Sequence, residues 1–163
     1  MVAGGTLVPL SPGELAALDP RARVVAIAVG ELDSDDWQHY QTEAAPVYPF
    51  GVRKSWCGIF ALYVCKLSGL KMSPWPLKYL KGDGIDELSV SAKPRTGDIG
   101  IVDARNTNRL TNHHFIVTDV QGGVVKSIDG NAGMLMEIVQ NQHSISKVNS
   151  TGGFLSPVWS KVL

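Results

Sequence analysis

The chain has 163 residues, 44% of them hydrophobic and 18% charged, with fifteen basic and fifteen acidic side chains and a formal net charge of zero. That length suits one domain with a proper core, here taken as 1–163, and the composition excludes a disordered chain. Zero net charge argues against a strong electrostatic grip on nucleic acid or an anionic membrane. The two cysteines form no disulfide framework or zinc-type spacing, and no apolar run is long enough to span a bilayer.

Residues 1–5 lack the basic region and apolar core of a secretory leader. The expectation is a protein made in the cytoplasm that reaches any other compartment by a different route. Ser11, Pro12 and Glu14 make a helix start, with Ser11 as cap, Pro12 in the first position and Glu14 reaching back. Residues 21–32 form a second helical run through Val24, Val25, Ile27, Ala28 and Leu32. Asp33, Asp35 and Asp36 suit the start of a third helix through Trp37, Tyr40 and Gln41. Residues 46–54 read as a loop with Pro46, Pro49 and Gly51.

Residues 55–69 come next. They read as one helix apolar nearly all round, the pattern of a helix buried in the middle of a domain. Ser55 is a candidate cap and Gly69 a left-handed stop. Cys57 falls in the first turn, where unpaired N–H groups and the helix dipole favour a thiolate. A small buried apolar residue is the competing reading. Cys65, eight positions on, is too far along the helix to bridge to it.

Residues 73–80 predict a short helix with a proline-rich start, and 81–91 a loop. Strands follow over 97–103, 113–120, 124–129, 134–140 and 144–148, with a last one in 154–162. Residues 105–112 form an exposed loop, and Gly122-Gly123 a tight hairpin turn. Helices first, then an antiparallel meander, is an α+β domain with helices packed on one sheet.

Cysteine catalysis needs a thiolate, an imidazole to move the proton, and a polar group to orient that imidazole. Cys57 opens the helix, His113 and His114 open one strand, and Asp129 and Asn131 close the next. In an antiparallel pair those strand ends share one edge of the sheet. Taken singly, a surface imidazole and ordinary turn chemistry would explain the histidines and residues 129–131. Adjacent residues on a strand face opposite sides. The side of 113, 115 and 117 carries Phe115 and Val117 and is taken as the face packed on the Cys57 helix, which selects His113 over His114.

Trp56-Cys57-Gly58-Ile59-Phe60 resembles the WCxxF helix start of the CHAP amidohydrolases and their NlpC-like relatives. Gly97-Asp98-Ile99-Gly100 is similar to their GD(I/V) strand. His113 to Val117, Gly122 and Ile128-Asp129-Gly130-Asn131 are similar to their histidine hairpin, without gaps. The resemblance covers roughly residues 21–131. It implies a papain-like fold, amide-bond cleavage chiefly in bacterial cell-wall peptides, and no metal or organic cofactor. Residue by residue, it makes Cys57 the nucleophile, His113 the catalytic histidine, Asp129 the orienting acid and Asn131 a neighbouring polar site residue. The chain departs from the pattern at His114, where an apolar residue is usual, and at Phe115, where a small one is common. The backbone N–H of Cys57 is the natural first oxyanion donor; Tyr48, Lys54 and Ser55 are candidates for the others.

The expected function is therefore a monomeric cysteine amidase or endopeptidase acting on peptidoglycan peptides. It would reach the wall as a lysin released by lysis or as an antibacterial toxin delivered by a secretion machine, and an immunity protein would partner it in the second case. Two other readings stay open: the same site transferring the acyl group to an amine or attacking a protein amide, and a binding module on a degenerate fold. Metal binding by His113, His114, His143 and Cys57 has no standard ligand spacing behind it.

Overall fold

A computed structural model describes residues 10–44, 56–70, 88–103 and 112–158. Its helices are α1 (Pro12–Ala17), α2 (Pro20–Gly30), α3 (Trp37–Ala44), α4 (Cys57–Leu67) and α5 (Ile145–Thr151). Its strands are β1 (Leu88–Ser91), β2 (Ile99–Asp103), β3 (Asn112–Gln121), β4 (Val124–Ala132), β5 (Glu137–Ser144) and β6 (Gly153–Pro157). The strands form one six-stranded sheet in the order β1-β6-β2-β3-β4-β5, every described pair antiparallel. The fold class is α+β, as expected.

Local chemistry explains most boundaries. Ser11 and Glu14 cap each other's backbone at the start of α1. Asp19 accepts the N–H groups of Arg21 and Ala22 at the start of α2, whose Val24, Ile27 and Ala28 are buried at helical spacing. Asp36 accepts the N–H of His39 in α3. Gly69 ends α4 at φ 99°, where the N–H groups of Gly69 and Leu70 bond to the carbonyls of Lys66 and Cys65. This paired arrangement needs a residue that tolerates positive φ. Gly122 and Gly123, at φ 54° and 90°, make the two-residue turn between β3 and β4.

Three expectations change. Residues 145–148 are helical, not a strand. Ile145 and Val148, three apart, both pack towards the sheet, and the N–H of Gly152 bonds back to Val148 to end the turn. Residues 88–91, read as loop, are β1, paired to β6. The sheet is not a plain meander either, because β6 enters between β1 and β2. The expected helix over 73–80 lies outside the described residues, as do Ser55 and nearly all of the loop at 105–112.

The sheet is covered on both sides. One face sends Ile99, Ile101, Ile116, Ile128 and Ile138 against α2, α3 and α4. The other sends Phe115, Val117, Val125 and Phe154 against α5. Helix α4 is the centre of the first layer, with Cys57 through Cys65 all buried. Trp56 and Phe60 are fully buried and both meet Tyr40 of α3. Each such aromatic side chain contributes about 1.5–3 kcal/mol by burial. Gly130 lets this layer close. A Cβ there would lie 2.8 Å from the Cβ of Phe60, so glycine allows the first turn of α4 to settle beside the end of β4.

Candidate active site

The first turn of α4 sets Cys57 over the starting end of β3. Its Sγ is 3.9 Å from Nδ1 of His114, and the neighbouring His113 acts on the thiol electrostatically. The cap position is Trp56, whose side chain makes no capping bond. Among the described residues no side-chain acceptor competes with the thiol for the N-terminal dipole of the helix. Neither cysteine is in a disulfide.

The expected facing of β3 is reversed. Phe115 and Val117 pack on the α5 side, while Ile116, and with it His114, lies on the α4 side. Apolar residues at 115, 116 and 117 are all fully buried because helices cover both faces, so the apolar pattern could not tell which face met α4. His114 is the imidazole on the face of α4. His113 is on the other face, with its side chain 29% exposed and its ring bonded to Asp129.

His113 holds the orienting group that was expected. Its Nε2 is 2.8 Å from Oδ2 of Asp129. Nδ1 is thus the ring nitrogen left for the thiol. Asp129 is fully buried and its carboxylate is held on every side. His143 Nε2 at 2.9 Å and Asn141 Nδ2 at 3.0 Å share Oδ2 with His113, and the Ser127 hydroxyl donates to Oδ1. Asn131 makes no such contact. It turns at φ 57° where the β4–β5 register shifts, and its buried Oδ1 has no hydrogen-bond partner among the described residues. The carboxylate's amide neighbour is Asn141 instead.

Electrostatics follow from these contacts. Burial pushes the Cys57 thiol up, but hydrogen bonds with His113 and His114, then their charge, outweigh it and bring the thiol down to about 5. Burial pushes the His113 imidazole down, but its bonds to Asp129 and Cys57 raise it to about 10. Burial would raise Asp129, but donation by His113 and His143 holds it well below the usual carboxylate range. All three shifts run towards the charged forms: thiolate, imidazolium and carboxylate. A thiolate beside a proton-bearing imidazole has the composition needed for nucleophilic attack followed by proton delivery.

Sequence reading missed Ser127, Asn141 and His143 as supports of Asp129. Ser127 and Asn141 are cross-strand partners on the face of Asp129, and His143 lies one pair further along. The β4–β5 pairing alone brings them there, and its shifted register left no local signal. Donor atoms of His113, Asp129 and His143 lie within 4.8 Å of one another, a composition able to hold a divalent ion. As found, both Nε2 atoms point their hydrogen bonds at one carboxylate oxygen, so the trio is a carboxylate held by two imidazoles. Tyr48, Lys54 and Ser55, candidates for a second oxyanion donor, lie outside the described residues.

Among the described residues, no helix is long and apolar enough to cross a membrane. No family model matches the chain, and neither a curated protein nor a solved structure does.

Proposed function

We propose that this protein is a papain-like cysteine hydrolase that cleaves amide bonds in bacterial peptidoglycan, with Cys57 as nucleophile, His113 as proton carrier and Asp129 as orienting acid. The observation that carries the reading is a thiol at the N-terminus of a buried helix, 3.9 Å from His114, whose strand neighbour His113 is bonded to the buried Asp129 carboxylate at 2.8 Å. A helix that presents its thiol against an antiparallel sheet carrying the histidine and the acid supports the papain-like assignment. The resemblance of residues 56–60, 97–100 and 113–131 to the CHAP amidohydrolases supports the choice of substrate.

The Cys57 thiolate attacks the amide carbonyl. Charge builds on the carbonyl oxygen, towards the Cys57 N–H and the positive end of α4. The His113 imidazolium protonates the departing amine, which leaves a thioester on Cys57. Water then adds to the thioester as His113 takes its proton, and collapse releases the acid and restores the thiolate. Asp129 holds the ring in place and offsets its charge throughout. His114 gives the sulfur a second imidazole contact from the α4 side.

Digestion of purified sacculi and of soluble muropeptides, followed by mass spectrometry, tests the reading. Fragments that gain one water across an amide bond are expected. Products with a new amide bond instead would move the protein to acyl transfer. Both substrates left intact by a protein whose Cys57 still alkylates would overturn the choice of substrate.

A further inference from the structure

We propose that His143 is a positioning residue of this site, a second imidazole that donates to the Asp129 carboxylate and so keeps the proton on His113. The proposal rests on the catalytic reading above. It extends that reading to a residue on β5 that no sequence motif marks.

One carboxylate oxygen gathers three neighbours. Asp129 Oδ2 lies 2.8 Å from His113 Nε2, 2.9 Å from His143 Nε2 and 3.0 Å from Asn141 Nδ2. An ionised carboxylate only accepts. All three neighbours must therefore donate, and both histidines must carry a proton on Nε2. For His113 this leaves Nδ1 as the ring nitrogen that can exchange a proton. For His143 it means the ring's whole contribution to the site passes through Asp129.

The ring of His143 is also held in place. It lies flat on Phe115, with centroids 4.0 Å apart and planes 14° from parallel. Phe115 is fully buried because Gly100, opposite it on β2, leaves room for its ring; a Cβ at Gly100 would be 2.0 Å from that ring. A stack of Gly100, Phe115 and His143 thus runs across β2, β3 and β5 and ends on the carboxylate. A ring kept only for packing has no need to aim Nε2 at a buried charge.

The groups around Asp129 assign the effect. It is approached by His113 from β3, by Ser127 from β4, and by Asn141 and His143 from β5. Cys57 of α4 lies 3.9 Å from His114, the strand neighbour of His113. Remove the His143 donor and the buried carboxylate loses one of its hydrogen bonds. Its proton affinity rises, its hold on the His113 ring loosens, and the thiolate that depends on His113 is less favoured. The ligand-free protein can report this, because a thiolate absorbs in the ultraviolet where a thiol does not.

The test compares wild type, His143→Phe and His143→Gln by ultraviolet titration of Cys57, with circular dichroism as the check on folding. His143→Phe keeps the stack and removes the donor. It should raise the midpoint of thiolate formation by roughly one pH unit, near a tenfold loss of thiolate at a given acidic pH. It should lower kcat with little change in KM. His143→Gln, which keeps an N–H donor, should recover most of both. A folded His143→Phe protein with an unmoved midpoint overturns the proposal, as does His143→Gln no better than His143→Phe. If His143→Phe does not fold, nitrogen-15 histidine spectra of wild type decide: a proton on Nε2 of both His113 and His143 is expected, and a bare Nε2 on His143 overturns it. A midpoint that moves as expected in a protein that cuts no peptidoglycan upholds the role of His143 and refutes the substrate alone.

Discussion

Helix α4 carries two thiols eight residues apart, Cys57 and Cys65, and they behave in opposite ways. Both are buried, Cys57 6% exposed and Cys65 fully enclosed. Burial alone drives Cys65 up to about 12, while the same burial at Cys57 is overcome and the thiol falls to about 5. Exposure therefore does not separate the two thiols here. Two things do. Cys57 has imidazoles beside its sulfur, and it sits in the first turn, where the helix dipole favours an anion; Cys65 lies near the other end, where the dipole opposes one.

The largest test of this contrast is Cys57→Ala. It should abolish turnover, a loss of roughly 10⁴-fold or more by analogy with other nucleophile deletions, measured on defined muropeptides. In that background His113→Ala should cost little further, because the residues act as one unit. Additive losses would show that they do not.

Next come the residues that make Cys57 unlike Cys65. His113→Ala should lower kcat by roughly 10³–10⁴-fold. Asp129→Asn should lower it less, since an amide can hold the ring but cannot offset its charge. His114→Ala should cost less than His113→Ala in the same assay. The reverse order would move the proton-carrying role to the ring on the α4 side.

Alkylation sharpens the contrast without a substrate. In native protein at pH 6, iodoacetamide should label Cys57 and spare Cys65, read by peptide mass spectrometry. Equal labelling would make the helix-start cysteine a structural one.

Stability should follow the His113 charge. Its native pKa of about 10 stands above the ordinary histidine value of ~6.5. The folded state therefore favours its charged form. That stabilisation is present in full below pH ~6.5 and is lost as pH rises through about 10. Below pH ~8.5 the native Cys57 thiolate offsets this proton for proton, so urea midpoints of wild type should fall between pH ~8.5 and 10 more steeply than those of His113→Ala.

The smallest effect belongs to Cys65→Ala. It removes one buried sulfur from a packed helix and should cost about 1–2 kcal/mol in chemical denaturation, with kcat unchanged. Loss of activity at equal stability would mean that the deeper thiol has a part in the chemistry.

Much of this arrangement was legible from residues alone. The apolar run over 56–67 gave α4, and the double glycine at 122–123 gave the hairpin that sets His113 against Asp129. Ser11 and Glu14 gave the first cap. The facing of β3 was not legible, because a strand buried on both sides carries no alternation to read. A helix as short as α5 shows too few turns for its period to declare itself, and Ile145 with Val148 passed for a strand. His143 stayed hidden for a different reason. Its contact with Asp129 depends on a β4–β5 register that shifts between Asp129 and Ala132, and no local pattern encodes that shift.

The insertion of β6 between β1 and β2 also bears on how the protein is made. A ribosome releases β1 and β2 well before the strand that joins them. Until residues 153–157 emerge, β2 has an open edge, and β1 has no described partner within the sheet. The nascent chain can pair β2 through β5 but cannot close its sheet, and buried Asp98 lacks the Ser156 hydroxyl that completes its bonds to Arg21 and the Arg95 backbone. Closure of the sheet thus waits for β6. A product cut short before β6 would keep a bare, sticky strand edge, the kind of surface that recruits chaperones and proteases.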